Sequence, residues 1–333
     1  MATPGRQLGG PGFEIVESAL ATIRRYEMVK EGDTVVVAVS GGPDSTCTLD
    51  VLWRLASRLD ITLAVAHVDH GLSDESGAIA ARVARQGATD GFDVHTVRAP
   101  DLTGPNLHAR AREFRYGFLE IVASETNADR IATGHTLDDR VETTLARLVH
   151  GAGTSSLAGV PPVEGNRIRP LIAVRRAETR RYCEEVGLAF DADPANDDER
   201  FERTVIRSRV LAPIEDHWGE GAVRAMARSA ELLREDAIAL DGLAQRLYSE
   251  LAQVSSEGTS FDRESFSGIP RALKHRLLDR AVGRVRDRSG GIEAALDGLE
   301  TSEGRELRYS VAEGIEIVVR KDRVLVTGAE RTD

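Results

Sequence analysis

What the chain has little of narrows the field first. Two cysteines occur in 333 residues, Cys47 and Cys183, far apart in sequence. They allow neither a disulfide framework nor a Cys-x-x-Cys redox or metal site, and both read as core thiols. Lysine stands only at Lys30, Lys274 and Lys321, so a Gly-x-x-x-x-Gly-Lys-Ser/Thr phosphate loop has no lysine to use across most of the chain. No segment approaches the ~18 apolar residues of a membrane helix, and Met1 to Gly12 lacks the apolar run of a signal peptide. The protein therefore reads as cytoplasmic, with no membrane partner. Net positive charge is also missing: the formal balance is −11, which argues against nucleic-acid binding by the whole surface but leaves room for a local basic patch. Internal repeats and low-complexity tracts are absent.

What remains is a globular pattern of 41% hydrophobic and 29% charged residues, long enough for two domains. A helix is predicted over Phe13 to Met28. Strands are predicted at Thr34 to Val39, Thr62 to Val68, Asp93 to Val97 and Arg130 to Thr133. Helices at Asp74 to Thr89, Asn106 to Ser124 and Asp138 to Val149 alternate with them. That alternation implies an α/β fold, a doubly wound parallel sheet, in which ligands gather at the carboxyl ends of strands. A Gly/Ser/Pro-rich loop follows Gly151, then a helix near Arg175 to Val186. A long helix runs from Glu220 to about Gln253, with Met226, Ala230, Leu233, Ala237, Leu240, Ala244, Leu247 and Leu251 at coiled-coil-like spacing. That seam packs either within the chain or in a homodimer. Two helical stretches and three short strands follow, marking a second, smaller α+β domain. The predicted boundaries are 1–215 for the first domain, 216–255 for a linking helix and 256–333 for the second domain.

The stretch "VVVAVSGGPDSTCTLDVL" joins a buried strand to a helix through a Ser-Gly-Gly-Pro-Asp-Ser turn, the build of an anion cradle. Ser40, Gly41, Gly42, Pro43, Asp44 and Ser45 would present amides and hydroxyls to phosphate. Asp44 would repel phosphate unless a divalent cation intervened, which points to ATP with Mg2+ held at Asp44. A plain helix-capping turn is the structural alternative.

"SGGPDS" resembles the PP-loop of the ATP-pyrophosphatases (adenine-nucleotide α-hydrolase-like). Within that group "HVDHGLSDES", "NLHARAREFRYGFL", "ATGHTLDDRVETTLARLVHGAG", "RIRPLIAVRR" and "FERTVIRSRVL" resemble the tRNA(Ile)-lysidine synthases, in the family's order from Val35 to Pro213. The resemblance implies adenylation of the C2 oxygen of the wobble cytidine in a CAU anticodon, followed by displacement of AMP by the side-chain amine of free lysine. The partners implied are tRNA(Ile) with a CAU anticodon and L-lysine.

Asp138, Asp139 and Glu142 open a helix at spacings that put carboxylates on one face, suited to an ammonium. By resemblance His135, Asp139 and Glu142 would contact lysine, with Asp44, Arg112, Asp139 and Glu142 in the catalytic machinery. Arg112 would neutralise charge developing in the reaction, and Arg115 shares its helix. His67 and Gly134 would line the nucleotide site, with Asp69 and His70 shaping its rim. Thr136 stands where the family usually has a second histidine, and Thr204 where it usually has an asparagine.

For tRNA, a helix predicted over Arg271 to Arg288 carries Arg276, Arg280, Arg284 and Arg288 every four residues, a basic stripe. Arg203, Arg207 and Arg209 add a second basic spot. Three rivals stand beside this reading. A PP-loop tRNA thiolase would need paired cysteines. Another adenylating PP-loop synthetase of the amide-forming kind would need an ammonia source. A nucleotide-gated RNA-binding protein would have no use for the acid cluster.

Overall fold

A computed structural model describes residues 8–69, 71, 76–100, 107–191, 202–283, 290–301, 305–312 and 314–328. The chain divides into two compact units, 1–233 and 234–333. The division falls inside the long helix that the sequence reading set apart as a link.

The sheet of the first unit has the strands β1 (Thr34–Ala38), β2 (Thr62–Asp69), β3 (Asp93–Arg98), β4 (Arg130–Thr133), β5 (Val163–Glu164) and β6 (Arg167–Ile168), in the order β3-β2-β1-β4-β6-β5. All neighbours are parallel except β5 and β6. Around the sheet lie α1 (Gly10–Arg25), α2 (Pro43–Leu59), α3 (Ser76–Thr89), α4 (Leu107–Glu125), α5 (Leu137–Val149), α6 (Thr154–Leu157), α7 (Arg176–Val186) and α8 (Glu202–Val205). A π-helical turn at Ile206–Leu211, α9 (Ala212–Trp218) and α10 (Gly221–Leu251) follow.

Alternation along the strands explains why helices cover both faces. Val35 and Val37 of β1, with Leu63 and Val65 of β2, join a core with residues of α1, α2 and α7. Val36, Ala64 and Ala66 point the other way and pack with Leu119 and Val122 of α4. Successive strand side chains face opposite ways, so apolar runs of this kind mark strands buried on both faces. The strand order places β1 in the middle, between β2 and β4, and their carboxyl ends define the rim on which the site is built.

The second unit is an antiparallel sheet of β7 (Gln253–Ser255), β8 (Gly258–Asp262), β9 (Leu307–Ala312), β10 (Ile315–Val319) and β11 (Arg323–Thr327), in the order β7-β8-β11-β10-β9. It carries α11 (Arg263–Ser267), α12 (Arg271–Val282) and α13 (Gly291–Thr301). Phe261, Phe266, Leu277, Leu296, Ile317 and Val326 are central to its core.

Three expectations are corrected. The stretch after Gly151, expected as loop, holds α6 and the β5–β6 hairpin, whose two-residue strands turn at Gly165 with φ +61° and are too short to show periodicity. The second sheet has five strands rather than three, because the chain leaves α10 into the β7–β8 hairpin. The basic helix ends at Val282 instead of Arg288: Gly283, at φ +77°, takes a backbone conformation that favours glycine and stops the helix. Arg284 and Arg288 lie outside the described residues, as do His70 and Asp74. In the expected seam of α10, Ala230, Ala237 and Ala244 are buried in the single chain.

Candidate active site

β1 ends at Ala38, and the chain turns through Ser40 to Gly42 into α2. Gly42 is extended at the N-cap, Pro43 supplies a pre-set φ in the first turn, and Asp44 lies in that same turn, where the helix dipole favours an anion. The loop is tied by its own side chains. The Ser40 N–H donates to Ser45 Oγ at 3.0 Å, and Ser45 Oγ donates to the Gly42 carbonyl at 3.0 Å. Gly41 has φ +95°, and a Cβ there would lie 2.5 Å from Ile79 Cγ2, so both conformation and space demand glycine. Arg82 of α3 donates to the Gly41 carbonyl at 3.3 Å and pairs with Asp191, whose N–H donates to the same carbonyl.

Gly134, at the end of β4, packs backbone against backbone on this loop: a Cβ would lie 2.8 Å from Ser45 N and 2.9 Å from the Asp44 carbonyl carbon. Its place is under the cradle. His67, near the end of β2, is buried, and its Nδ1 lies 2.7 Å from the Val39 carbonyl. That contact makes Nδ1 the protonated nitrogen and leaves Nε2 as an acceptor, which has no hydrogen-bond partner. Burial lowers the His67 pKa, so the ring is held neutral. A buried acceptor without a donor beside the cradle suits the amino group of a nucleobase.

The acid cluster stands on α5, directly after Gly134. Thr136 opens the helix, and its backbone N–H and hydroxyl both donate to Asp139 Oδ2 at 2.8 Å, an arrangement in which N-cap and third helical residue satisfy each other. Glu142 is fully buried. An isolated carboxylate in that position would be costly, and Glu142 is not isolated. Arg176 Nη1 and Arg207 Nε both donate to its Oε1 at 2.8 Å. Arg176 also donates through Nη2 to Asp139 Oδ1 at 2.9 Å, and its Nε lies 3.5 Å from Asp44 Oδ2. One guanidinium thus meets three carboxylates from two helices, α2 and α5.

Asp138, third of the predicted acids, faces elsewhere. It accepts the Arg176 backbone N–H at 2.8 Å and both Nε and Nη2 of Arg175 at 3.1 Å, joining α5 to the start of α7. α7 is further braced on α2 by Tyr182, whose hydroxyl donates to Asp50 Oδ2 at 2.5 Å, and by Thr179, whose hydroxyl donates to Asp44 Oδ1.

The electrostatics differ from one acid to the next. Burial pushes the Asp44 carboxyl up to about 6, against the pull of Arg176 and Thr179. Burial also opposes ionisation of Asp139, but Arg176, His135 and the Thr136 donors outweigh it and hold that carboxyl down at about 2. His135 is pushed down to about 4 by burial, with Arg169, Arg112 and Arg115 adding to the effect and Asp139 opposing it. Its Nδ1 lies 2.8 Å from Thr133 Oγ1. Arg112, Arg115 and Arg167 gather around the Tyr116 ring, with guanidinium carbons 4.8, 5.5 and 4.6 Å from its centroid. Arg112 is exposed, and the group gives the site a positive wall beside its acidic one.

Of the predicted RNA contacts, Arg207, partly exposed, joins this site through Glu142. Arg203 lies beside it, with Nη2 3.4 Å from Thr143 Oγ1. In the second unit Arg276 donates to Asp241 at 2.8 Å, Arg271 pairs with Glu293 and Asp297, and Lys274 is buried. The basic stripe on α12 is therefore partly neutralised, leaving Arg280 exposed.

Sequence reasoning missed Arg176, Thr179 and Arg82. A signal for Arg176 existed. "VRRAE" places an arginine in the first turn of a helix, where the dipole disfavours a cation, so an acid from elsewhere in the fold was needed to hold it.

A central parallel strand, a Ser-Gly-Gly-Pro-Asp-Ser cradle and an adjoining rim of carboxylates define a PP-loop domain, and the family model of that domain matches residues 15–214. The chain is 38% identical over 255 residues to a tRNA(Ile)-lysidine synthase of Leifsonia xyli, covering 75% of this chain and 76% of that one. It is 30% identical over 287 residues to one from Caldanaerobacter subterraneus, covering 84% of this chain and 62% of that one. The chain belongs to the tRNA(Ile)-lysidine synthase family. A solved tRNA thiolase from Methanococcus maripaludis, with an iron–sulfur cluster, shares the fold at TM-score 0.56 and 19% identity, over 67% of this chain and 78% of that one. In the present chain both cysteines are buried and free.

Proposed function

We propose that the chain joins free L-lysine to C2 of the wobble cytidine of tRNA(Ile) with a CAU anticodon, consuming ATP and releasing AMP and pyrophosphate. The observation that carries this reading is the juxtaposition of Asp44, at the mouth of the phosphate cradle, with the Asp139–Glu142 pair, joined through the one guanidinium of Arg176. A nucleotide-activated base and an incoming ammonium must meet within a few ångströms, and these residues supply a cradle for one and a counter-charge for the other.

In the first step the cytidine O2 attacks the α-phosphorus and pyrophosphate leaves from the Ser40–Ser45 loop. In the second the lysine side-chain amine attacks C2, and the C2–O bond breaks with O2 departing on AMP. The ammonium must lose a proton before it can attack, against a free pKa of about 10.4. Asp139, held at about 2, keeps its negative charge and orients the ammonium. With Asp44 assigned to the nucleotide side, Glu142 is the carboxylate proposed to accept the proton. Arg112 and its neighbours around Tyr116 lie on the positive wall that would stabilise the phosphoryl charge.

Mg2+ fits in one manner. Among the described residues no three His, Cys, Asp or Glu groups gather to cage a metal, but Mg2+ is commonly held by one or two carboxylates with substrate phosphates and water completing its shell. Asp44 offers that carboxylate, and the ion would neutralise the departing pyrophosphate.

Arg203, Arg207, Arg276, Arg280 and Arg284 remain the proposed tRNA contacts, with Arg280 the exposed member on α12 and Arg207 acting through Glu142. No helix among the described residues is long and apolar enough to cross a membrane, and a tRNA substrate supports a cytoplasmic reading. The site is built from one copy of the chain. A homodimer would need an apolar surface other than the buried alanines of α10, such as the exposed Leu232, Ile238 and Leu243 on the same helix.

The test is product release measured with ATP, lysine and a tRNA transcript. AMP formation should require all three and should vanish when the wobble cytidine is replaced by uridine. AMP formation without lysine, continuing over many turnovers, would overturn the reading.

A further inference from the structure

The cation site of this chain already holds a cation of its own. Asp139 and Glu142 are positioned for an ammonium, yet Nη2 and Nη1 of Arg176 occupy them at 2.9 and 2.8 Å, while Nε of the same guanidinium reaches toward Asp44 at 3.5 Å. We propose that Arg176 is a positioning residue that couples nucleotide binding to lysine binding, by exchanging the acid pair for the nucleotide phosphates and so vacating the seat that the substrate amine takes. This deepens the lysine-ligase reading and rests on it.

A charge count gives the direction. Asp44, Asp139 and Glu142 carry three negative charges against the two positive charges of Arg176 and Arg207. The set is therefore short of one positive charge, which one ammonium supplies. A Mg2+–nucleotide arriving at the cradle brings a net negative charge beside Asp44, and the guanidinium is drawn toward its phosphates, for which a planar fork of donors is well suited. Glu142, fully buried, cannot be left without a partner at low cost. Arg207 keeps its two hydrogen bonds to it, Nε to Oε1 at 2.8 Å and Nη2 to Oε2 at 3.4 Å, and the lysine ammonium replaces the one from Arg176. Each ligand then lowers the cost of the other's binding, and such linkage is reciprocal. α7 is built to hold Arg176 at this junction: Asp138 fixes its backbone N–H, and Thr179, one turn later, bonds the same Asp44.

The experiment is equilibrium binding of radiolabelled L-lysine to the full chain, with and without Mg2+ and an α,β-methylene analogue of ATP. In the parent protein lysine should bind at least about fivefold more tightly with the nucleotide present, the lower end of ordinary coupling between sites. Arg176→Lys retains the positive charge but cannot reach three carboxylates at once, and there the ratio should fall to within about twofold of one. Arg176→Gln should show the same loss of coupling with tighter lysine binding in the absence of nucleotide, because the internal competitor is gone. Folding of both variants is checked by their urea transitions, and the parent ratio decides the matter even where a variant fails to fold. A parent ratio near one, or a full ratio persisting in Arg176→Lys, overturns the coupling while leaving the lysine-ligase reading intact. Lysine that fails to bind the parent in either nucleotide state overturns that reading, and the coupling with it.

Discussion

The carboxylate of Asp138 on α5 accepts the backbone N–H of Arg176, the first residue of α7, at 2.8 Å. An acid thus caps a helix that is not its own, at the end where the dipole favours it. The contact sets where the Arg176 side chain begins, and so where its guanidinium meets Asp44, Asp139 and Glu142.

Asp138→Asn keeps the shape and removes the charge. Hydrogen bonds to charged groups contribute about 1.5–3 kcal/mol, and Asp138 serves both the α7 terminus and Arg175. The variant should lose about 2 kcal/mol of unfolding free energy, read from the urea midpoint at unchanged slope. A loss below about 0.5 kcal/mol would show that α7 is positioned by other contacts.

Glu142→Gln should separate the two half-reactions. The amide retains the volume of the buried side chain but can neither balance the ammonium nor take its proton. General bases of this kind contribute about 10²–10⁴-fold, so lysine transfer should fall by at least about 10². Pyrophosphate release in a single turnover should persist, and adenylated tRNA should accumulate. If both steps fell together, Glu142 would belong to nucleotide binding instead.

His135 gives the fold a pH dependence with a definite sign. Its pKa is depressed to about 4 in the folded chain, against about 6.5 when unfolded. Between those values the unfolded chain binds the extra proton, so stability rises with pH across the window from about 4 to 6.5 and is lost as pH falls through it. Between pH 7 and pH 4.5 the parent should lose about 2 kcal/mol more unfolding free energy than His135→Gln, which has nothing to titrate at that position. Parallel curves for the two proteins would place His135 in contact with solvent.

Much of this is legible in the sequence. The central strands were readable because Val35–Val37 of β1 and Leu63–Ala66 of β2 are buried on both faces and so form short apolar runs. The phosphate loop was readable because Gly41 is forced by both φ and Ile79. Short elements were not, since two residues on β5 and two on β6 carry no period. The reach of α12 was overestimated because an arginine every four residues continues past Gly283, while the helix ends at Val282. Asp139 and Glu142 were legible as an acidic face, but their partner was not. Arg176 lies 34 positions beyond Glu142, and it is brought into place by tertiary contacts of α7, with α2 through Tyr182 and Asp50 and with α5 through Asp138.

The most direct test of lysidine formation is the mass of the wobble nucleoside itself. The purified chain is incubated with ATP, Mg2+, L-lysine and an unmodified CAU-anticodon tRNA(Ile) transcript, and the transcript is digested to nucleosides for mass analysis. One cytidine per tRNA should be replaced by a nucleoside heavier by one lysine less one water, and isotopically labelled lysine should carry its label into that product. Unchanged cytidine in the presence of ATP hydrolysis to AMP, or a product containing sulfur or ammonia nitrogen instead of lysine, would contradict the assignment.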